Sequence, residues 1–173
     1  VCGNVGGLYP PQKNHPFILK IFAEVKKQRS DAKLLLVGAE EEPSLLSLAK
    51  KLEIEKDVLF LGQRRDVADL LFAMDVFLFP SLREGLPVAA IEAQASGLPV
   101  LMASTITREA LVAPNAKMLS LEASPREWAN AAASAALEAR KDNYDIMKAA
   151  GWDIKERAAR LAEYYRTGVF RDF

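Results

Sequence analysis

The sequence predicts a doubly wound α/β domain built on a six-stranded parallel sheet, and three observations carry that expectation. Short apolar runs of strand length recur from the first residues to about residue 121. Most of them are continuously apolar, as strands covered on both faces must be, and do not alternate with polar residues. Helical patterns separate them. The runs are CGNVGGL (2–8), AKLLLVG (32–38), DVLFLG (57–62), DVFLFP (75–80), LPVLMA (98–103) and AKMLSL (116–121). Right-handed crossovers then place helices on both faces, and ligands in such sheets sit beyond the carboxyl ends of the strands. Strand order does not follow from periodicity.

The first helix is expected over 15–29, where Phe17, Ile18, Ile21, Phe22 and Val25 recur at helical spacing, with Asn14 as N-cap and Pro16 in the first turn. A second, over 43–52, repeats Leu45, Leu46, Leu48, Ala49 and Leu52. A third, over 66–73, opens on Asp66 as its cap, and a fourth, over 87–96, starts at Pro87 and stops at Gly97. A short fifth covers 107–111. Beyond the last strand the pattern is wholly helical, over 125–140, 144–150 and 154–165, the last with Ile154, Ala158, Leu161 and Tyr165 on one stripe.

A chain of 173 residues is the size of one domain and can bury a core without disulfides or metals. Its 23 basic residues balance 23 acidic ones, which argues against a nucleic-acid partner. One cysteine, Cys2, and one histidine, His15, cannot build a disulfide framework or a His/Cys metal cluster. His15 reads as a helix-start residue and not as a catalytic base. The apolar runs are shorter than a membrane span and no basic stretch leads into an apolar core at the start, so neither a transmembrane helix nor a signal peptide is expected, and the cytoplasm fits best. The chain opens on Val1 inside what reads as a strand under way, which suggests a piece of something longer.

The loops after the strands are where chemistry is expected. They lack the spaced Gly-x-Gly-x-x-Gly, the Gly-x4-Gly-Lys-Ser/Thr phosphate loop, the Gly-x-Ser-x-Gly elbow and Asp-x-Asp. Any phosphate must then be held by backbone amides, helix ends and Lys or Arg, with no metal expected. The stretch FPSLREGLPVAAIEAQASGLPV (79–100) suits that task. Gly85 allows close approach of the backbone, Pro87 opens the helix without wasting a donor, and the amides of that first turn carry the positive end of the helix dipole. Glu84 precedes the turn and Glu92 lies eight residues on, too far apart for a close acid/base pair. Two readings stay open: acids that accept hydroxyls at two points of one extended ligand, or a helix-dipole partner and a solvated surface residue.

REGLPVAAIEAQASGLPV resembles the Glu-x7-Glu signature of a large family of retaining glycosyltransferases (family four, glycosyl transferases group 1), above all its bacterial capsular and surface-polysaccharide members. The resemblance extends to VGGLYPPQKNH in the first loop, AKLLLVG, VLFLGQRRDV and DVFLFPSLREGLP. It implies a Rossmann-like domain, the C-terminal donor-binding half of a GT-B fold, occupying 1–173 with the N-terminal acceptor domain absent. It also implies that Glu84 holds a donor-sugar hydroxyl, that Gly85, Leu86 and Pro87 help seat sugar and diphosphate, and that Glu92 takes the ribose. Lys13 then contacts the diphosphate and offsets charge as the nucleotide leaves. Gly6 and Gly7 line the first loop, and Gln63 and Arg64 lie near the base.

One departure stands out. The position of Gly7 is usually Arg in the family, and the loss of such a charged hydrogen bond typically forfeits about 1.5–3 kcal/mol. Arg83 and Arg108 are the candidates to replace it. The resemblance therefore implies a UDP- or GDP-sugar donor, a hexosyl transfer to a polysaccharide, lipid-linked or other acceptor, and membrane contact, if any, at the inner face of the cell membrane through the missing domain. The alternative is a non-catalytic sugar-nucleotide-binding or structural subunit. The C-terminal helix is expected either to cross toward the other domain or to pack wholly on its own sheet, and Phe170 and Phe173 to mark that contact.

Overall fold

The computed structural model describes residues 1–7 and 11–169; the Leu8, Tyr9 and Pro10 part of the first loop and the Phe170 and Phe173 expectation lie outside the described residues. Six strands form one parallel sheet: β1 (Cys2–Val5), β2 (Leu34–Val37), β3 (Val58–Phe60), β4 (Val76–Phe79), β5 (Val100–Ala103) and β6 (Ala116–Leu119). Their order is β3-β2-β1-β4-β5-β6. The chain thus winds outward from β1 in one direction, returns, and winds outward from β4 in the other. Where it reverses, β1 and β4 lie side by side with Cys2 opposite Val76 and Gly3 opposite Phe77, so their carboxyl ends open a crevice between two diverging loops.

Every expected strand is present, each two or three residues shorter than its run. The continuous apolar runs are explained by burial: Leu34, Leu36, Val37, Phe77, Leu78, Phe79, Val100, Leu101 and Met102 are all within 1% of full burial. The described residues include seven α-helices: α1 (His15–Gln28), α2 (Pro43–Lys51), α3 (Val67–Phe72), α4 (Val88–Ala95), α5 (Pro125–Ala135), α6 (Tyr144–Ala149) and α7 (Ile154–Thr167). The segment expected as a short helix over 107–111 is a 3-10 turn, Arg108–Ala110.

The helix starts correct several sequence-based expectations. Asn14 does occupy the N-cap of α1, but in left-handed conformation (φ 56°, ψ 43°) and without a side-chain cap; its Nδ2 instead donates to the Pro80 carbonyl at 3.2 Å. Asp66 caps nothing, because its carboxylate is taken by Arg64. Pro87 is the N-cap of α4 and not its first helical residue. Helix α5 ends five residues early, at Ala135, beyond which Arg140 turns back to donate to the carbonyls of Leu71, Met74 and Ser96. α5 itself starts on a full capping box between Ser124 and Glu127.

Helices α1 and α5 pack on the same face, where the rings of Phe17 and Trp128 meet edge to face at 5.9 Å and the Trp128 Nε1–H donates to Ser120 O. On α4, Ala90, Ile91, Ala93 and Gln94 face inward. Gln94 is fully buried and fully bonded: Nε2 donates to Ala90 O and Ala110 O, and Oε1 accepts from the amides of Val112 and Ala113. Gly97, at φ 75°, ends that helix. Helix α7 buries none of its residues, and Ile154, Leu161 and Tyr165 are exposed, which rules out its packing wholly on its own sheet.

Candidate functional site

The reversal point brings together the first loop and the Glu84 loop, two segments 71 residues apart in sequence. The chain leaves β1 at Gly6, whose amide donates to Val37 O at 2.8 Å. After the undescribed residues, a 3-10 turn, Pro11–Lys13, runs into α1. Three cross-loop contacts then fix the two loops to one another: the Leu82 amide donates to Gln12 O at 2.8 Å, Asn14 Nδ2 reaches Pro80 O, and Lys13 Nζ pairs with Glu84 Oε1 at 2.9 Å. The loop after β5 joins them where Thr105 Oγ1 donates to Ser81 O at 3.0 Å.

Lys13 is held along its whole length. Its stem lies against Gly6, so closely that a Cβ there would sit 2.7 Å from Cε and 2.9 Å from both Cδ and Cγ. Its ammonium lies 4.7 Å from the centroid of the Phe79 ring, on the last residue of β4. With side-chain exposures of 21% for Lys13 and 10% for Glu84, water screens this pair less than it would a surface pair. Gly38 packs under the same loop: at φ 84° it suits glycine, and a Cβ on it would come within 3.2 Å of the Gly6 carbonyl carbon.

His15, the first residue of α1, is only 3% exposed. Burial pushes its pKa below the ordinary 6.5, a bond with the Gly6 backbone opposes that, and the nearby Lys13 charge adds to it. Among the described residues its Nε2 has no hydrogen-bond partner. It is therefore a neutral strut beneath the loop.

Beyond Glu84 the backbone turns outward. No atom lies within 4 Å of the space a Gly85 side chain would fill, and among the described residues the Gly85 and Leu86 amides find no acceptor. Leu86 O accepts from Val88 at 2.9 Å, and Pro87 O from Ala90 and Ile91, so the first turn of α4 closes behind them. Two amides without an acceptor among the described residues thus stand between Glu84, which meets Lys13, and the N-terminus of α4, an arrangement suited to an anion. Glu92 stands on the exposed stripe of α4, four residues from Val88, roughly 6 Å along the axis. Among the described residues its carboxylate makes no hydrogen bond or ion pair.

The remaining candidates form a looser rim. Gly7 is exposed at the open side of the first loop. Gln63 and Arg64 follow β3 and are exposed, with Arg64 held by Asp66 through two bonds of 2.8 and 2.6 Å. Arg83 and Arg108 are exposed too, and among the described residues no hydrogen bond or ion pair ties either to the first loop. Phe79, Gln12 and Gly38 are parts of the site that sequence reasoning passed over, and the continuous apolar run that ends at Phe79 signalled none of them. Cys2 is buried beneath, its thiol pushed up to about 11 by desolvation. A cleft of about 520 Å³ between α6 and α7 lies elsewhere, lined by charged side chains that bond to one another, such as Lys148 with Glu156 at 3.1 Å.

The pattern of acid, outward amides and lysine at this reversal point matches more than a single motif. The model of the family Glycosyl transferases group 1 matches residues 1–138. The chain belongs to that family. EpsF of Bacillus subtilis is 34% identical to this group 1 domain over 171 residues, covering 92% of the chain and 43% of EpsF. The UDP-Gal:alpha-D-GlcNAc-diphosphoundecaprenol alpha-1,3-galactosyltransferase of Escherichia coli is 36% identical over 116 residues, covering 62% of the chain and 29% of that enzyme. The group 1 domain spans less than half the length of these curated relatives. The crystal structure of Anabaena HepE in complex with UDP superposes with a TM-score of 0.78 over 96% of the chain and 48% of HepE, at 22% identity. The fold is thus one Rossmann-like half of a GT-B glycosyltransferase, as the resemblance implied.

Proposed function

We propose that this chain is the donor-binding, C-terminal half of a retaining glycosyltransferase, which takes a UDP- or GDP-sugar at the reversal point while an acceptor domain closes over the sugar. The observation that carries the reading is the 2.9 Å contact of Lys13 with Glu84, next in sequence to the Gly85 and Leu86 amides that find no acceptor among the described residues. One spot thereby offers a cation, two backbone donors and a hydroxyl-accepting carboxylate, the set a sugar diphosphate needs.

In this reading the diphosphate lies over the start of α4 with Lys13 on its oxygens, and negative charge is met without a metal. Glu84 accepts a hexose hydroxyl, Glu92 the ribose hydroxyls, and the base rests near Gln63 and Arg64 beside the loop after β3. As the sugar–phosphate bond breaks, charge develops on the diphosphate, where Lys13 and the amides already point; fixed donors of this kind stabilise a transition state without reorganising. Departure and attack on one sugar face then retain the anomeric configuration. Exclusion of water and choice of acceptor fall to the other domain, as does any contact with a membrane. Among the described residues no helix is long and apolar enough to cross one.

The named donor of the E. coli relative, UDP-Gal, and the UDP in the HepE structure make uridine ligands the first to test. A second reading, a sugar-nucleotide binder without transferase activity, draws on Gly7, which leaves the first loop without a guanidinium. The test is a thermal-shift screen of UDP, GDP, UDP-glucose and GDP-mannose. A ligand at 100 times its Kd adds about 2.7 kcal/mol, roughly 5–11 °C for a chain of this size. No shift with any of the four ends both readings. Within a protein that joins this chain to an acceptor domain, Lys13→Ala and Glu84→Ala should each abolish transfer; unchanged turnover would overturn the roles given to those residues, and a parent that binds but does not transfer would leave only the binder.

A further inference from the structure

Glu84 and Lys13 satisfy each other in the ligand-free protein. Their contact is short, largely shielded, and braced from three sides by Gly6, Phe79 and the cross-loop bonds of Gln12 and Asn14. Lys13 has three N–H donors, but a phosphate that draws the ammonium onto its own oxygens pulls it away from Glu84. The carboxylate is then left part-buried, without its cation and facing a second anion, which is the least favourable neighbour it could have. A neutral hydroxyl donor placed against Glu84 removes that penalty.

Resting on the donor-site reading above, we propose that Glu84 makes the site tell a sugar nucleotide from a bare nucleoside diphosphate, because only the ligand carrying a sugar replaces the ion pair it breaks. A nucleoside diphosphate gains Lys13 and strands Glu84. A sugar nucleotide gains Lys13 and supplies a hexose hydroxyl to Glu84 at the same time. After transfer the hexose has gone, Glu84 is again unpaired next to the diphosphate, and re-formation of the Lys13–Glu84 contact favours release of the product. The same carboxylate thus binds the substrate and expels what remains of it.

The charge of Glu84, not its shape, is what the proposal depends on, so the informative variant is Glu84→Gln, with titration calorimetry of UDP, UDP-glucose, GDP and GDP-mannose against it and the parent chain. Glu84→Gln should bind the nucleoside diphosphate about tenfold more tightly, while the corresponding sugar nucleotide binds more weakly or no better. Glu84→Asp, which keeps the charge and withdraws it by one methylene, should fall between the two, and it stands in if the glutamine variant does not fold by circular dichroism. Weakening of both ligands in parallel, or an unchanged nucleoside diphosphate affinity, would overturn the discrimination while leaving the donor site intact. A parent chain that binds none of the four ligands would overturn the donor site itself.

Discussion

Gly6→Ala tests the site without touching a polar atom. The added Cβ would lie 2.7 Å from Lys13 Cε and 2.9 Å from Cδ and Cγ. Because three successive stem atoms from Cγ outward are too close, a change at a terminal torsion cannot clear the contact; the whole stem has to swing away about χ1. Lys13 then leaves Glu84 Oε1, 2.9 Å away, and the face of Phe79. For stability the opposing effects nearly cancel. A pair that retains some exposure contributes about 1 kcal/mol and the ring contact about 0.5–1, whereas replacing glycine removes about 0.4–1 kcal/mol of unfolded-state entropy. The melting temperature should fall by no more than a few degrees. Donor affinity should respond far more, since a charge-assisted hydrogen bond to phosphate contributes about 1.5–3 kcal/mol, or roughly ten- to a hundredfold in Kd. Calorimetry on the Gly6→Ala, Lys13→Ala and double variants closes the cycle: if the alanine acts through the lysine, it adds almost nothing once the lysine is gone. Gly6→Ala with parental affinity, or with an equal penalty in the Lys13→Ala background, would show that the packed stem is irrelevant to binding.

Gly7→Arg should tighten binding of nucleoside diphosphate by about 1.5–3 kcal/mol, because the exposed position at the mouth of the first loop gains a guanidinium; titration showing no gain would count against the assignment of that loop. Stability should decline on mild acidification through His15. Burial keeps its folded pKa below the unfolded 6.5, so the unfolded chain takes up the proton first, and this contribution, complete above 6.5, is lost as pH falls toward the folded value. Urea melts at several pH values should show that slope, and His15→Asn should flatten it. Glu92→Ala should leave stability within about 0.5 kcal/mol, since the residue is exposed, yet it should erase the preference for UDP over 2′-deoxy-UDP; a preference that survives the change removes the ribose role.

Nearly all of the architecture was legible because burial on both faces writes itself into sequence. VFLF and VLMA carry no polar position, and β4 and β5 are buried at every residue. Helix ends were legible to within a few residues, but the capping roles of Asn14 and Asp66 were not. In both cases a partner distant in sequence or adjacent in a loop, Pro80 O for one and Arg64 for the other, held the side chain away from a capping role. Gln94 reads as an ordinary polar helix residue, and only the fold shows it accepting from Val112 and Ala113 at the bottom of a loop that periodicity leaves blank.

The site followed the same division. Glu84, the turn at Gly85 and the helix behind it lie within a dozen residues, so their local arrangement could be read from spacing and from the fact that helix starts attract anions. Lys13 could be placed on the first loop but not against Glu84, because that contact depends on β1 and β4 being neighbours, and strand order leaves no trace in a hydrophobic pattern. Had β4 paired with β2 or β3, the same residues would face different crevices and the lysine would be a solvated loop charge. The two acids of one signature also part company here. Glu84 is shielded and already engaged, so replacing it disturbs a folded contact as well as a ligand, whereas Glu92 is exposed and uncommitted among the described residues, so its role can be felt only when a ligand is present. Sequence spacing treats them as a pair; the sheet order brings only Glu84 against Lys13.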